Sequence, residues 1–349
     1  MNGYLLLRTL EKKIKLFIIF WTRIVFVKSN FKVSLINKLK SNFFGGYLAD
    51  QYALYGLNKK NKKYYLSEFD WYKSRYINEP YNFMLNNKIV CNKMLEKYIR
   101  VPKIYFFKKN KSIIDENGLV VKEEVILNKL KEEKELFIKP ISAGKGSNVY
   151  CLGYSNNSFI IDNEKVTTEQ IIKLLKNRDW FISEKINQAK CLSDIYDKTS
   201  NTIRLITLNN IKTNQFEVFF AVQRIGTKAT IPVDNGSRGG LVSKIDIDTG
   251  TLTEARTLRS LNVYEYHPDS NFKIKGFKIP NWNELKKTIL EVSNEFPFLN
   301  FIAWDILMTD DGPVIIEANT SSGVNIIQLW GGQRQDKLGA FYKQHDIIK

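Results

Sequence analysis

Two histidines in 349 residues, His267 and His345, rule out an H-E-x-x-H helix and any histidine-rich metal centre. The three cysteines, Cys91, Cys151 and Cys191, lie far apart with no C-x-x-C pair. That excludes a disulfide framework and a zinc ribbon, and it predicts reduced, mostly buried thiols. Prolines number only eight, while 44% of residues are hydrophobic and 13% aromatic, so the chain can bury a core and is not disordered. No apolar run reaches the roughly 20 residues that a spanning helix needs. There is no G-x-x-x-x-G-K-[ST] loop and no G-x-S-x-G elbow, and Gly144-Lys145-Gly146 runs on to Val149 where G-x-G-x-x-G would need glycine. The P-loop, α/β-hydrolase and Rossmann readings therefore lose their signatures.

Acidic residues are scarce in the first third. Residues 1–120 hold 8 Asp and Glu against 23 Lys and Arg, whereas residues 121–349 hold 28 against 30. Nearly all of the formal charge of +17 is therefore N-terminal, which points to an anionic partner there, a membrane surface or a nucleic acid. Leu16 to Val27 is apolar except for Arg23 and is flanked by Lys12, Lys13, Lys15, Lys28 and Lys32. Arg23, the lysines that follow and the lack of a small-residue cleavage site argue against a signal peptide. Trp21 and several phenylalanines among lysines suit an interfacial helix, residues 1–40, on the inner face of an anionic membrane, with the protein otherwise cytoplasmic. A buried helix with snorkelling lysines is the alternative, and nucleic acid is the least favoured partner.

The length exceeds what one core usually takes, so several subdomains are expected. The pattern divides into a basic helical region, 1–66; a first subdomain, 67–122; a second, 123–186; and a third, 187–349. Ser67 to Arg100 reads as helical and ends before Pro102. Short strands are expected at 103–107, Glu135 to Lys139, Asn148 to Leu152, Trp180 to Ile186, Thr202 to Leu208, Glu217 to Arg224, Leu241 to Asp246 and Thr251 to Arg256. Helices are expected at Glu124 to Lys134, at Thr167 to Leu175 behind a T-x-x-Q capping box, and from Pro280 to about Phe296. Hairpins mixed with helices indicate an α+β fold, not a doubly wound parallel sheet.

The most informative stretch is FIAWDILMTDDGPVIIEANTSSG, residues 301–323. Two apolar runs joined by Asp310-Asp311-Gly312 read as a hairpin. With a three-residue loop, Thr309 opposes Pro313 and Asp305 opposes Glu317, and Asn319 shares their face. Two carboxylates among hydrophobic neighbours are costly unless a cation neutralises them. A hard ion with oxygen ligands does so, and Mg²⁺ typically pairs one or two carboxylates with substrate phosphates. Phosphates in turn need cations and backbone donors. Lys139, closing the strand Leu136-Phe137-Ile138, and the loop Gly144, Lys145, Gly146 supply them.

These residues resemble the ATP-grasp superfamily over roughly Asn87 to Gln328. NKIVCNKMLEKYIRVPKIY resembles the helix that brings a first nucleotide lysine, here Lys88. FIKPISAGKGSNVY resembles the phosphate-binding strand and glycine-rich loop, matching Lys139 and Gly144 to Gly146. WFISEKINQ resembles the hinge whose acidic residue, Glu184, and following backbone, Lys185 and Ile186, receive adenine. EANTSSG resembles the ending of D-alanine–D-alanine ligases, with Asp305, Glu317 and Asn319 on the magnesium ligands, although Ala303 stands where those ligases carry an arginine. TIRLITL and AVQRIGTKATIPVDNGSRGG resemble the arginine, asparagine and paired-glycine layout of amino-acid ligases, matching Arg204, Arg224, Asn235 and Gly239-Gly240. The long segment after Ile231 is most similar to the group associated with sugar transfer and surface polysaccharides.

The resemblance implies an ATP-grasp fold of two α+β subdomains gripping ATP, with one or two Mg²⁺ ions and Mn²⁺ as a substitute. It implies a ligase that phosphorylates a carboxylate and couples it to an amine, releasing ADP and phosphate. Arg204 and Arg224 take the transition-state role, with Arg238 as the grip on the carboxylate. The expected substrates are a uronic acid or similar glycan unit and an amino acid or other amine. A kinase acting on a polyol or sugar hydroxyl, and a non-catalytic membrane- or nucleic-acid-binding protein, are the alternatives.

Overall fold

The computed structural model describes residues 3–141, 148–176 and 178–349, and the loop expected at Gly144, Lys145 and Gly146 lies outside them. Eight strands form one antiparallel sheet: β1 (Ile104–Lys109), β2 (Ser112–Asp115), β3 (Val120–Val121), β4 (Glu135–Pro140), β5 (Tyr150–Ser155), β6 (Ser158–Ile161), β7 (Glu164–Val166) and β8 (Trp180–Glu184), in the order 3-2-1-8-4-5-6-7. Seven more form a second: β9 (Ile203–Asn210), β10 (Gln215–Ile225), β11 (Leu241–Ile245), β12 (Leu252–Thr257), β13 (Val263–Tyr264), β14 (Phe301–Thr309) and β15 (Gly312–Asn319), in the order 13-12-11-10-9-14-15. Strands β1 to β3 belong to the same sheet as β4 to β8, so the subdomain boundary expected at 122/123 falls within one sheet.

Helix α1 (Gly3–Phe20) continues into a π-turn, Trp21–Val25, and is followed by α2 (Leu35–Phe43) and α3 (Ala49–Leu54). The continuous helical stretch expected over 67–100 is instead three short helices: α4 (Glu68–Ser74), α5 (Asn82–Asn86) and α6 (Lys88–Leu95). Pro80 cannot continue a helix. The side chain of Asn78 leaves the helical path to bond the backbone of Asn300 and Phe301, pinning this region to the second sheet. Asn87 caps α6 by accepting from the amides of Ile89 and Val90.

On the first sheet, α7 (Glu123–Glu133) and α8 (Thr168–Lys176) lay Ile126, Leu130, Ile171 and Leu175 over Leu136, Ile138 and Ile182. The expected capping box is present, Thr167 and Gln170 each bonding the other's amide. After the short α9 (Lys190–Ser193), α10 (Trp282–Asn294) packs Leu285, Ile289 and Val292 on one face of the second sheet, against Ile302 and the fully buried Trp304. The opposite face is covered by α4, α11 (Val324–Ile327) and α12 (Lys337–Gln344) over Ile206, Leu208, Phe220 and Phe301. Further along β9, β10 and β14 on that face the apolar pattern stops, and Arg204, Arg224 and Asp305 take its place. Of the cysteines all are unpaired, but only Cys91 is buried; Cys151 and Cys191 are half-exposed, which corrects the expectation for those two.

Candidate nucleotide and metal site

Facing residues of an antiparallel pair share a side of the sheet. Lys139 therefore projects with its partner Phe181, and Phe137 with Ser183. This side of β4 and β8 borders a cleft whose other wall is α6 and β15, and Lys88, Cys91, Lys139, Phe181, Ser183 and Glu317 all line it. Lys88, in the first turn of the Asn87-capped helix, places Nζ 2.9 Å from the Glu317 carboxylate. Burial pushes the Lys139 ammonium down to about 8, with Glu317 opposing the shift and Lys88 adding to it. Burial pushes the Cys91 thiol up to about 12, so it lines the cleft as a neutral group.

The hairpin β14–β15 differs from expectation at its tip and agrees at its functional end. Thr309 pairs with Gly312, not Pro313, so the loop is the two residues Asp310 and Asp311, and Gly312, at φ +117°, already belongs to the strand. A regular ladder from there would set Asp305 opposite Ile316. A bulge between the Ile306 and Asp305 pairs takes up Ile316 and sets Asp305 opposite Glu317 after all. Asn319 lies two residues on, opposite Ala303.

Asp305 is buried and takes a bidentate pair from Arg204, at 2.5 and 2.8 Å, with Arg224 Nη1 at 3.2 Å. Burial alone would raise its carboxyl, but the two guanidiniums outweigh burial and hold it below the usual carboxylate range. Arg224 also meets Asp234 at 2.6 Å. Burial opposes the guanidinium's charge, yet Asp234 and Asp305 more than restore it. Asp234 is fixed in turn by the Thr202 amide at 2.7 Å and hydroxyl at 2.5 Å. The segment after it is a tight loop in which Asn235 accepts from the Ser237 amide and hydroxyl. Gly239 sits at φ +111°, and a Cβ on Gly240 would come within 2.8 Å of the Asp234 carbonyl oxygen. Asn235 and the paired glycines thus shape the loop that presents Asp234.

Four cations, Lys88, Lys139, Arg204 and Arg224, converge on three carboxylates, Asp234, Asp305 and Glu317, an excess of positive charge that suits an anionic ligand. Among the described residues no group of three or more His, Cys, Asp or Glu is placed to hold a metal. The expected donor set is different, two carboxylates and an amide, which is the hard-oxygen chemistry of Mg²⁺. The buried Asn319 side-chain nitrogen has no hydrogen-bond partner. Since a half-turn exchanges the two ends of that amide, an unpaired oxygen is equally available to a cation, and the residues fit the ion.

Other expected residues lie apart from this cluster. Glu184 accepts from the Lys103 amide at 2.9 Å, tying β8 to the start of β1. Lys185 pairs with Glu135 at 2.7 Å, and Ile186 packs with Leu307, Val314 and Ile316 against the hairpin. Arg238 is exposed on the glycine loop and is not gathered with Arg204 and Arg224 around Asp305. Sequence reasoning missed Asp234, Phe181 and Ser183. The last two were legible from strand alternation opposite Lys139; Asp234 needed the loop's path.

A family model described as sugar-transfer associated ATP-grasp matches residues 69–337. A search of curated proteins returns no match. Among solved structures, the chain is similar to the ATP-grasp ligase PsnB with minimal precursor, Mg and ADP, at 12% identity and a TM-score of 0.37, over 70% of this chain and 53% of that one. It is similar to an ADP complex of the N5-carboxyaminoimidazole ribonucleotide synthetase purK, at 11% identity and a TM-score of 0.40, over 68% of this chain and 45% of that one. The D-alanine–D-alanine ligase from Coxiella burnetii gives 12% identity and a TM-score of 0.42, over 75% and 58%. The chain thus spans about half the length of these structures. The family model covers both sheets and every residue of the cation–carboxylate cluster, and the chain belongs to the sugar-transfer-associated ATP-grasp family.

Proposed function

We propose that the chain is an ATP-dependent carboxylate–amine ligase, and that its carboxylate substrate is a uronic acid or similar unit of a surface glycan. The observation that carries the reading is the arrangement of Asp305 and Glu317, opposed across a buried hairpin, with Arg204 and Arg224 on one carboxylate and Lys88 on the other. The family's description as sugar-transfer associated supports a glycan substrate.

In this reading a substrate carboxylate oxygen attacks the γ-phosphorus of ATP and the bond to ADP breaks. An amine then attacks the acyl carbon, phosphate leaves, and the amine's proton passes to solvent. Asp305, Glu317 and Asn319 hold Mg²⁺, which supplies charge neutralisation for phosphoryl transfer when bound. Lys88 and Lys139 hold phosphate oxygens in the cleft. Arg204 and Arg224, fixed in orientation by Asp305 and Asp234, face the charge that develops on the phosphoryl and tetrahedral species. Glu184 to Ile186 border adenine, and Arg238 on its exposed loop grips the substrate carboxylate.

The test is ADP release with ATP and Mg²⁺ across a panel of uronic acids, with hydroxylamine present to trap an acyl phosphate. Carboxylate-dependent ADP release with hydroxamate formation supports the ligase. A stable phosphorylated sugar, formed from substrates without a carboxyl group and without any hydroxamate, would assign a kinase and overturn it.

A further inference from the structure

The segment before Tyr47 leaves much of its apolar surface uncovered. On α1 the residues turned toward the body of the protein are Lys12, Leu16, Ile19 and Phe20, with Lys12 Nζ 4.5 Å from the ring centre of Tyr76 and Phe20 5.5 Å from Phe69, so the inward side already has its own apolar contacts. Leu7, Leu10, Ile14, Phe17 and Ile18 recur at the spacing of one helix face, on the other side, and all are exposed, Phe17 by 65%. Helix α2 goes further and is inverted, polar inward and apolar outward. Its inward residues are Ser41 and the fully buried Asn42, whose side chain donates to the Ile24 and Tyr47 carbonyls. Its outward residues are Leu35, 70% exposed, with Ile36, Leu39 and Phe43. Ring contacts join the two faces, Trp21 lying 6.3 Å from Phe17, 5.8 Å from Phe26 and 5.8 Å from Phe43.

A surface of this size normally has a partner. Its charge identifies which one. Residues 12–49 carry eight Lys or Arg and no Asp or Glu. Among the described residues no helix is long and apolar enough to cross a membrane. We infer that α1 and α2 together form a platform that seats the protein on an anionic lipid surface, apolar faces in the acyl boundary and lysines at the phosphates. A second copy of the chain would bring like charges together across the contact. A nucleic acid would satisfy the lysines but leave the apolar faces in water. The inference stands on this surface alone and does not rest on the ligase reading.

The test is sedimentation of the full chain with phosphatidylcholine vesicles, plain or containing about one-third phosphatidylglycerol. Wild type is expected to partition onto the anionic vesicles at least about tenfold better than onto the neutral ones, since each lysine near the surface contributes about fivefold. The double variant Ile36→Glu/Leu39→Glu, confined to α2, should lose at least about tenfold of that binding, as should Ile14→Glu/Phe17→Glu on α1. Thermal melting checks that each variant is folded. Failure of wild type to bind anionic vesicles overturns the proposal, as does full binding by the α2 variant. A dimer of the full chain that the same substitutions dissociate, or RNA binding that persists in both apolar variants while vesicle binding is absent, overturns it in favour of a second copy or of nucleic acid.

Discussion

Raising the pH from 7 to 9 should weaken nucleotide binding about tenfold, through Lys139. Burial holds its ammonium near 8 in the free protein. At pH 7 about nine in ten molecules carry the charge, and at pH 9 about one in ten. A bound phosphate favours the ammonium, so above pH 8 binding must take up a proton, and affinity falls as pH rises. The cost from 7 to 9 is about 1.4 kcal/mol, which is the tenfold change. The nucleotide's terminal phosphate, with a second pKa of about 6, is already ionised over this range. Titration calorimetry of ADP with Mg²⁺, run in buffers of different ionisation enthalpy, reads both the affinity and the proton taken up, which should rise through pH 8. Lys139→Arg keeps its charge at pH 9 and should flatten the profile. A flat wild-type profile, or the same decline in the arginine variant, would refute the reasoning.

Two further outcomes follow from the second sheet. Trp304 is fully buried and donates its indole N–H to the Thr207 hydroxyl at 3.0 Å, so Trp304→Ala should cost about 3–5 kcal/mol in urea unfolding; a loss under about 1 kcal/mol would contradict its place at the centre of that core. Asp234→Asn removes a buried charge from Arg224 without removing the side chain, and should lower turnover at least about tenfold while leaving ADP affinity within about twofold. Parallel losses of turnover and affinity would instead mean that the glycine loop had collapsed.

The hairpin shows how much of the site was legible in the sequence and why. Alternation between apolar runs and the Asp-Gly signal located β14 and β15, but the tip is one residue shorter than expected and the functional register is restored by a bulge at Ile316. A bulge has no local signature, since Ile316 differs little from its neighbours. That Lys88 and Lys139 line one cleft agrees with the sequence reading, each sitting at the end of a regular element. That Arg238 stands apart from Asp305 was not legible, because its position depends on the path of the Asn235–Gly240 loop, and proximity in sequence to Asp234 says nothing of proximity to Asp305. The α1–α2 surface was half legible: the basic, aromatic composition was plain, but the inversion of α2 appears only once Asn42 is seen buried against Ile24 and Tyr47. Of the breaks in 67–100, the one between α4 and α5 lies at Pro80 and at Asn78, whose bonding partners are more than two hundred residues away, and the one before α6 lies at its cap, Asn87.

The most direct test of the central claim is the thermal stabilisation produced by Mg²⁺ with a non-hydrolysable ATP analogue at about 100 times its Kd, for wild type and for Lys139→Ala. Linkage predicts about 2.7 kcal/mol for wild type and, if the substitution weakens binding about a hundredfold, about 0.4 kcal/mol for the variant. No stabilisation of wild type, or equal stabilisation of both proteins, would contradict a nucleotide held in this cleft by Lys139.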